Sequence, residues 1–317
     1  MKISKRYCIV LGGAGFIGSH VTESLVGADY HVRVFDDFSS GKEENLNSVK
    51  DKIELFIGDI RDRRALSECL EGCETVYHLA AIASVQRSFD EPILAHEVNC
   101  TGTLNVLVES IKAGCKRVIF ASSSAVYGDA PDQPKREDMT PKPISPYALH
   151  KLTSENYLRI FRAFHGLEGF SLRLFNVFGP RQNPSSPYAA VIPIFGKAFS
   201  RTESPVIFGD GTQTRDFIEV KEVARAFLLA GQVENASGEA VNIASGKSRS
   251  ILEVVQEYVR VSGKNIQPVF VPPRSGDILH STADNSKAKG LLGFSSSQNF
   301  FEGLKNYFEW LLKDANA

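Results

Sequence analysis

Several features that mark other classes of protein are missing from this 317-residue sequence. The five cysteines are an odd number in a long chain, with neither a CxxC pair nor a Cys/His cluster at zinc spacing, so we expect buried free thiols, no disulfide framework and no metal site. The 36 basic and 37 acidic residues leave a formal net charge of −1, which excludes a broad single-sign field for nucleic acid or an anionic membrane. No apolar run approaches the roughly 20 residues of a membrane span, and no signal-peptide pattern begins the chain. These absences predict a cytoplasmic protein.

Short apolar runs alternate with amphipathic stretches through the first 176 residues. The apolar runs predict buried strands, and the stretches between them predict helices. We expect strands at 7–11, 31–35, 52–57, 75–79, 117–121 and 170–175, and helices at 16–26, 64–70, 99–113 and 147–165. Such alternation is typical of an α/β fold with a doubly wound parallel sheet. After residue 176, shorter elements broken by proline and glycine predict a smaller C-terminal α/β substrate lobe, residues 177–317, part of which returns to the sheet.

A glycine-rich turn joins the first predicted strand to the first predicted helix. Gly12, Gly15 and Gly18 follow the spacing GxxGxxG, which lets backbone N–H groups approach a pyrophosphate at the helix N-terminus. Asp36 ends the second strand, where a carboxylate can accept hydrogen bonds from an adenosine ribose and would repel a 2′-phosphate. The pattern predicts a Rossmann-like NAD-binding domain at residues 1–176 and favours NAD over NADP; the alternative is a turn that merely starts a helix. Asp59, after the third strand, could equally bond an adenine amine or cap the next helix.

Three further side chains have proton-transfer chemistry. Tyr147 and Lys151 form a YxxxK pair, and a spacing of four places both on one helix face. An ammonium group beside a phenol lowers the pKa of the phenol and suits a proton shuttle near neutral pH; the alternative is an amphipathic helix with Tyr147 inside and Lys151 outside. Ser123 lies in a run of three serines after the fifth strand, at the strand end where α/β proteins bind ligands, although a polar strand end would also explain it.

The glycine turn, the serine run and the YxxxK pair together resemble the extended short-chain dehydrogenase/reductase family, and in particular its NAD-dependent epimerase/dehydratase members. Further segments are similar to the UDP-glucose and UDP-N-acetylglucosamine 4-epimerase branch, in the same order over nearly the whole chain, at 78–81, 99–105, 145–147, 173–181, 209–211, 215–217 and 274–277. The resemblance implies an isomerase of carbohydrate metabolism that holds NAD tightly and regenerates it in every turnover.

The resemblance also implies roles for individual residues. Tyr147 would take a proton from the sugar 4-hydroxyl while hydride passes to NAD, Lys151 would hold the nicotinamide ribose, and Ser123 would share the proton path. The residues expected to hold NAD are Gly12, Gly15, Phe16, Ile17, Gly18, Asp36, Asp59, Ile60, Leu79, Ala80, Ala81, Asn99, Ser122, Tyr147, Lys151 and Phe175. The residues expected to hold the UDP-sugar are Ser88, Ser123, Ser124, Tyr147, Asn176, Ala190, Val191, Val206, Phe208, Arg215, Arg274, Asp277 and Ser281.

Four positions bear on the reaction and its substrate. Sugar 4,6-dehydratases have an acid pair where this chain has Ser124 and Ala125, which disfavours elimination and leaves epimerisation through a 4-keto sugar. The better-known UDP-galactose epimerases have a lysine where this chain has Ala83. Ser281 stands at a gate position, where a small residue admits an N-acetyl group. Both UDP-hexoses and UDP-N-acetylhexosamines are therefore expected substrates.

Two other functions fit the same residues. One is another nucleotide-sugar enzyme of the family: a 4,6-dehydratase, a decarboxylase, a UDP-glucuronate epimerase or a 4-keto reductase. A reductase would need exchangeable NADPH, which Asp36 disfavours. The other is a non-catalytic dinucleotide-binding protein, although such proteins commonly lose the Tyr/Lys pair that this chain keeps.

The resemblance further implies a homodimer. The predicted helices 99–113 and 147–165 match those that pair two subunits as a four-helix bundle, and Leu104, Leu107, Val108 and Ile111 form an apolar stripe at helical spacing. The alternative is that this stripe packs onto the chain's own sheet. Neither nucleic acid nor a membrane is an expected partner.

Overall fold

Strands and helices alternate along the chain in a computed structural model that describes residues 7–184, 190–273, 279–297 and 299–314. The strands are β1 (Tyr7–Leu11), β2 (His31–Asp36), β3 (Ile53–Ile57), β4 (Thr75–His78), β5 (Arg117–Ser123), β6 (Glu168–Leu174), β7 (Asn176–Phe178), β8 (Val206–Phe208), β9 (Thr214–Glu219), β10 (Ser237–Ile243), β11 (Ser248–Ser250) and β12 (Val269–Val271). The helices are α1 (Phe16–Gly27), α2 (Arg63–Leu70), α3 (Val85–Asp90), α4 (Pro92–His96), α5 (Thr103–Lys112), α6 (Pro146–His165), α7 (Val191–Ser200), α8 (Val220–Gln232), α9 (Ile251–Ser262), α10 (Ser286–Leu292) and α11 (Phe300–Asp314).

Seven of these strands form one parallel sheet in the order β10-β6-β5-β4-β1-β2-β3. The chain runs outward from β1 to β3 and then returns to β4 on the other side of β1, which is the doubly wound order of a Rossmann fold. The predicted α/β fold is confirmed. Cys8 to Leu11 of β1 are 0% exposed, because helices cover both faces of a parallel sheet, and this explains the unbroken apolar run.

The chain after residue 176 builds two smaller sheets. One has the order β11-β9-β7, and the other pairs β8 with β12. Helices α7, α9 and α11 pack beside them around a core that includes the buried side chains of Phe195, Phe199, Tyr258, Leu304 and Tyr307. Strand β10, in contrast, pairs with β6 at the edge of the main sheet, so part of the later chain completes the first sheet.

Helix α6, which carries Tyr147 and Lys151, has well-defined ends. The hydroxyl of Ser145 accepts a hydrogen bond from the N–H of Ala148 at 3.2 Å, and a proline occupies the first helical position; both favour a helix start. The helix ends at Gly166, whose φ of 72° is left-handed and suits glycine. The predicted helix 147–165 is confirmed to within one residue.

The predicted helix 99–113 is wrong in its first part. Helical structure begins earlier, with α4, and a π-helical turn at Glu97–Gly102 separates α4 from α5. A pattern with a period of 3.6 cannot reveal such a turn. Leu107 is 0% exposed and belongs to the core beneath the sheet, whereas Leu104 and Val108 keep partial exposure. Packing onto the chain's own sheet therefore accounts for Leu107, the most deeply buried member of the predicted stripe.

All five cysteines are buried and unpaired, as expected. Burial raises the pKa of both Cys69 and Cys115 to about 12, so these thiols stay protonated at neutral pH. Within the described ranges, no helix has the length and apolar character needed to cross a bilayer.

Candidate active site

A cleft of about 440 Å³ lies along the carboxyl ends of the strands of the main sheet. Loops that follow successive parallel strands converge at this edge, which is where ligands bind in doubly wound folds. The residues predicted to hold NAD line this one cleft, with Asn99 as the exception: Gly12, Gly15, Phe16, Ile17, Gly18, Asp36, Asp59, Ile60, Leu79, Ala80, Ala81, Ser122, Tyr147, Lys151 and Phe175. Ser123 joins them.

The glycine turn leaves no room for a side chain at Gly12 or at Gly18. Gly12 has φ 79°, and a Cβ at this position would lie 2.6 Å from the backbone nitrogen of Ala80. A Cβ on Gly18 would lie 2.0 Å from the carbonyl oxygen of Gly12. The turn thus brings the N-terminus of α1 to the cleft, where its free N–H groups and helix dipole favour a diphosphate. The residues present fit a dinucleotide.

Asp36 is held at the end of β2 by two backbone groups. It is 6% exposed, and its carboxylate accepts hydrogen bonds from the N–H of Ala14 at 2.8 Å and of Phe38 at 2.9 Å. Burial raises the pKa of this carboxyl group, and the two N–H donors act against that rise. The anchored acid faces the cleft with acceptor capacity left for ribose hydroxyls, and its charge opposes a phosphate at that point.

Asp59 does not cap the helix that follows it. Asp62 caps α2, because its carboxylate accepts hydrogen bonds from the N–H of Arg64 at 2.9 Å and of Ala65 at 3.2 Å. The Asp59 carboxylate pairs instead with Arg61 at 2.6 Å, which lowers the pKa of Asp59. Of the two roles left open for Asp59, capping is wrong, and the side chain lines the cleft beside Ile60.

Tyr147 and Lys151 both point inward, which excludes a helix with an outward lysine. Lys151 is 4% exposed, and its Nζ donates to the carbonyl of Ala121 at 2.7 Å. Burial lowers the pKa of Lys151 to about 8. Its Nζ lies 5.7 Å from the centroid of the Tyr147 ring and 4.7 Å from that of Phe120.

The predicted lowering of the Tyr147 pKa is wrong for the protein by itself. Burial raises that pKa, and the hydrogen bond from Ser123 is the group that opposes the rise. The reason is geometric: Lys151 directs its ammonium to the carbonyl of Ala121, whereas Ser123 contacts the phenol directly. Tyr147 and Ser123 therefore form the hydrogen-bonded pair at this end of the cleft.

A buried ion pair supports the floor of the cleft and was missed in the sequence. Glu155, one helical turn after Lys151, accepts hydrogen bonds from Arg173 at 2.7 and 3.0 Å. It also accepts one from the hydroxyl of Ser122 at 2.5 Å. Arg173 lies over the ring of Tyr127 at 4.8 Å. The spacing of four from Lys151 was the available signal, since it places Glu155 on the same inward face.

Two residues predicted to touch ligands have side chains that bond backbone groups in the protein by itself. Ser88 is 0% exposed; its hydroxyl donates to the carbonyl of Val85 at 2.6 Å and accepts from the N–H of Tyr147 at 3.0 Å. Asn99 is 3% exposed and bonds both backbone groups of Ile82, at 2.8 and 3.0 Å. We infer that both side chains position cleft residues, because both are buried and neither lines the cleft itself.

The remaining predicted substrate residues lie beyond this cleft, mostly in the later part of the chain. Asn176, on β7, donates to the carbonyl of Asp216 at 3.2 Å, and Arg215 lies on β9. The N–H of Ser281 donates to the carbonyl of Thr214 at 3.1 Å, so Ser281 lies beside the start of β9, next to Arg215. Ser124 starts a 3₁₀ turn after β5, Ala190 and Val191 start α7, and Val206 and Phe208 lie on β8. Arg274 and Asp277 lie outside the described residues.

Several residues that line the cleft were not predicted. Most of them lie within a few residues of a predicted one after a strand, and that proximity was the available signal, whereas Arg87, Leu94 and Val98 come from helical segments that carried no such signal. The full set is Phe35, Asp37, Ser39, Ser40, Gly58, Arg61, Ile82, Ala83, Arg87, Leu94, Val98, Ala121, Leu174 and Val177.

A doubly wound sheet whose cleft joins a glycine turn to a buried Tyr–Lys pair defines a dinucleotide-dependent enzyme of the short-chain dehydrogenase class. Residues 8–244 match the model of the NAD dependent epimerase/dehydratase family. The chain belongs to that family, whose cofactor is NAD.

Three relatives show how far the likeness extends. A UDP-glucose 4-epimerase from Mycolicibacterium smegmatis is 37% identical over 95% of this chain and 97% of its own length. The structure of a UDP-N-acetylglucosamine 4-epimerase from Methanobrevibacter ruminantium M1, in complex with UDP-N-acetylmuramic acid, is 40% identical with a TM-score of 0.94, covering 98% of this chain and 100% of that chain. A UDP-glucose 4-epimerase from Thermotoga maritima, with UDP-glucose, is 39% identical with a TM-score of 0.92, covering 98% and 99%.

Proposed function

We propose that this protein interconverts the C4 epimers of a UDP-hexose, and that it accepts UDP-N-acetylhexosamines as well. The observation that carries the proposal is the place of Tyr147. Its side chain is 9% exposed, hydrogen-bonded to Ser123, and lines the same cleft as the glycine turn. The named activities of the similar enzymes from M. ruminantium and T. maritima support this substrate class.

The residues of the cleft divide the reaction between them. Tyr147 removes the proton of the sugar 4-hydroxyl and later returns it to the 4-keto sugar, after the ring has turned its other face. NAD, when bound, supplies the hydride acceptor and donor. Ser123 hydrogen-bonds the reacting oxygen, and Lys151 holds the ribose. Burial raises the pKa of Tyr147, and positive charge at the cleft would favour the base form of its phenol.

The distribution of acids supports epimerisation over dehydration. The carboxylates that line the cleft, among the described residues, are Asp36, Asp37 and Asp59. All three lie at or just after the ends of β2 and β3, at the end of the cleft formed with the glycine turn. Ser124 and Ala125 come after β5. Elimination of water from a sugar needs an acid and a base beside the reacting carbons, and within the described ranges no carboxylate lines the Tyr147 end of the cleft.

The gate position supports the larger substrate. Ser281 is partly exposed and is tied to β9 through Thr214 at 3.1 Å, next to Arg215. Its small side chain leaves room for a 2-acetamido group, and one solved relative is named for UDP-N-acetylglucosamine.

We also propose that two copies pair through α6. Leu149, Ile160 and Phe164 are 53%, 48% and 81% exposed, and their spacings of eleven and four residues place them on one face of the helix. Ile93 on α4 adds a fourth exposed apolar side chain at 73%. A face of this kind favours association with a second copy over contact with water.

The test uses purified protein without added cofactor. UDP-glucose and UDP-N-acetylglucosamine are incubated separately, and the sugar anomeric protons are followed by NMR. We expect conversion of both to their galacto forms, and we expect Tyr147→Phe to lose turnover while it still binds NAD and the nucleotide sugar. No conversion of either substrate, even with NAD supplied, would overturn the proposal. Conversion of UDP-glucose alone would remove the acetamido part of it.

A further inference from the structure

The fold brings together three side chains whose atoms bind transition metals, outside the cleft described above. A nitrogen of His96, the sulfur of Cys100 and a nitrogen of His150 all lie within 4.8 Å of one another. His96 ends α4, Cys100 lies four residues later in the π-helical turn, and His150 comes from α6. None of the three lines the cleft. Motif spacing did not reveal the cluster, because His96 and Cys100 lie in one segment whereas His150 follows fifty residues after Cys100.

Two of the three side chains of the cluster are buried. Cys100 is 5% exposed and His150 is 6% exposed, whereas His96 reaches solvent. The Nδ1 of His150 is buried and has no hydrogen-bond partner among the described residues. Buried polar atoms normally have a hydrogen-bond partner, so a buried atom without one is a candidate to bind a ligand. The two imidazole rings lie with centroids 5.4 Å apart and planes at 76°, and so do not stack on each other.

The donor set selects the kind of ion. Two imidazole nitrogens and one cysteine sulfur, which releases its proton to solvent as the ion binds, are the ligands of Zn²⁺ and of its softer neighbours. Mg²⁺ and Ca²⁺ need oxygen. Tetrahedral zinc bonds of ordinary length place two nitrogens and one sulfur about 3.3–3.6 Å apart. Because His96 is exposed, rotation of its side chain can close the remaining gap. Water at the open side completes a tetrahedron, as it does in three-ligand zinc sites.

We propose that His96, Cys100 and His150 form a binding site for a thiophilic divalent cation of the zinc type. The ion joins the segment Pro92–Gly102 to α6. This junction lies one residue from Asn99, which holds Ile82, and one residue from Lys151. Metal binding therefore fixes two supports of the cleft relative to each other without touching it.

The first test is a titration of the full chain with Co²⁺, after chelator treatment and in oxygen-free buffer. We expect one Co²⁺ per chain, with a thiolate-to-cobalt charge-transfer band and the visible bands of a tetrahedral ion, all removed by Zn²⁺. Cys100→Ala should lose the charge-transfer band. Cys115→Ala is the matched control, since Cys115 is also buried, at 7% exposure, and lies outside the cluster. Absence of the band from the wild type, or its survival in Cys100→Ala, would overturn the proposal.

A second pair of variants avoids any change to the core. His96→Gln alters an exposed side chain of the cluster, and His165→Gln alters an exposed histidine at the end of α6. We expect weaker Co²⁺ binding, and a smaller rise in the unfolding temperature with Zn²⁺, for His96→Gln alone. Equal responses from both variants and the wild type would contradict the site. These experiments measure metal binding and unfolding temperature, so their outcome does not depend on whether the protein epimerises a UDP-hexose.

Discussion

The hydroxyl of Ser88 accepts a hydrogen bond from the backbone N–H of Tyr147, 3.0 Å away, and so ties α3 to the first turn of α6. The first N–H groups of a helix have no partner within the helix, and this one is buried. This hydrogen bond therefore helps to fix the position of Tyr147 in the cleft.

Replacement of Ser88 by alanine should impair turnover more than substrate binding. The unpaired N–H costs about 1–3 kcal/mol of stability, and a small shift of Tyr147 lowers kcat by about 10- to 100-fold because a reacting group tolerates little misplacement. Steady-state kinetics and urea unfolding measure both effects. Ser84→Ala is the control: it removes the cap of α3, at 3.0 Å from the N–H of Arg87, and costs about 1 kcal/mol without contact to Tyr147. Equal kcat values for the two variants would show that Ser88 contributes to stability and does not position Tyr147 for catalysis.

Replacement of Gly12 by alanine should abolish retention of NAD. The added Cβ would meet the Ala80 backbone at 2.6 Å, at a φ of 79° that alanine rarely adopts, so the turn must open and the N-terminus of α1 must move. Gly27→Ala, at the other end of α1, is the matched control because no atom lies within 4 Å of its new Cβ, and it should stabilise the fold by about 0.4–1 kcal/mol. Absorbance of cofactor released on denaturation reports NAD content. A Gly12→Ala protein that keeps its full NAD content would refute the role of the turn.

The pH dependence of stability should contain a contribution from His78. This side chain is 0% exposed, its Nε2 lies 2.9 Å from the Thr103 hydroxyl, and burial lowers its pKa from 6.5 to about 3. Between those values the unfolded chain binds a proton that the folded protein does not. The stabilising contribution is therefore complete above pH 6.5 and falls, by up to about 1.4 kcal/mol per pH unit, as the pH decreases.

Unfolding free energies of the wild type and His78→Gln, compared between pH 7 and about pH 5, measure this term. The wild type should lose more stability than the variant as the solution becomes acidic. His165→Gln, at an exposed position, should follow the wild type. Parallel profiles for all three proteins would mean that His78 gains its proton equally well in the folded state.

A charge on the exposed face of α6 should separate the two copies. Phe164 is 81% exposed, and a glutamate there would have to bury its carboxylate at an apolar interface, which is unfavourable. We expect sedimentation to give twice the chain mass of 34.8 kDa for the wild type and the single mass for Phe164→Glu. Phe270→Glu, at a 53% exposed position on β12, should remain a dimer. A wild type that sediments at the single mass would remove the proposed pairing.

The sequence by itself determined the features that depend on local pattern. The alternation of apolar runs predicted the sheet, the glycines and Asp36 predicted the dinucleotide turn, and a spacing of four predicted a shared face for Tyr147 and Lys151. These succeed because backbone conformation and helical periodicity act over a few residues. The carboxyl ends of parallel strands meet at one edge, so residues chosen from separate strand ends fell along one cleft.

The tertiary structure alone decided what depends on packing between distant segments. Desolvation raises the Tyr147 pKa where the sequence suggested a fall, and the buried Ser88 turned out to hold a backbone group. Leu107 faces the core, and His96, Cys100 and His150 meet from two helices. Burial and long-range contact follow from the arrangement of whole elements in space, and no local pattern encodes which side chains that arrangement removes from water.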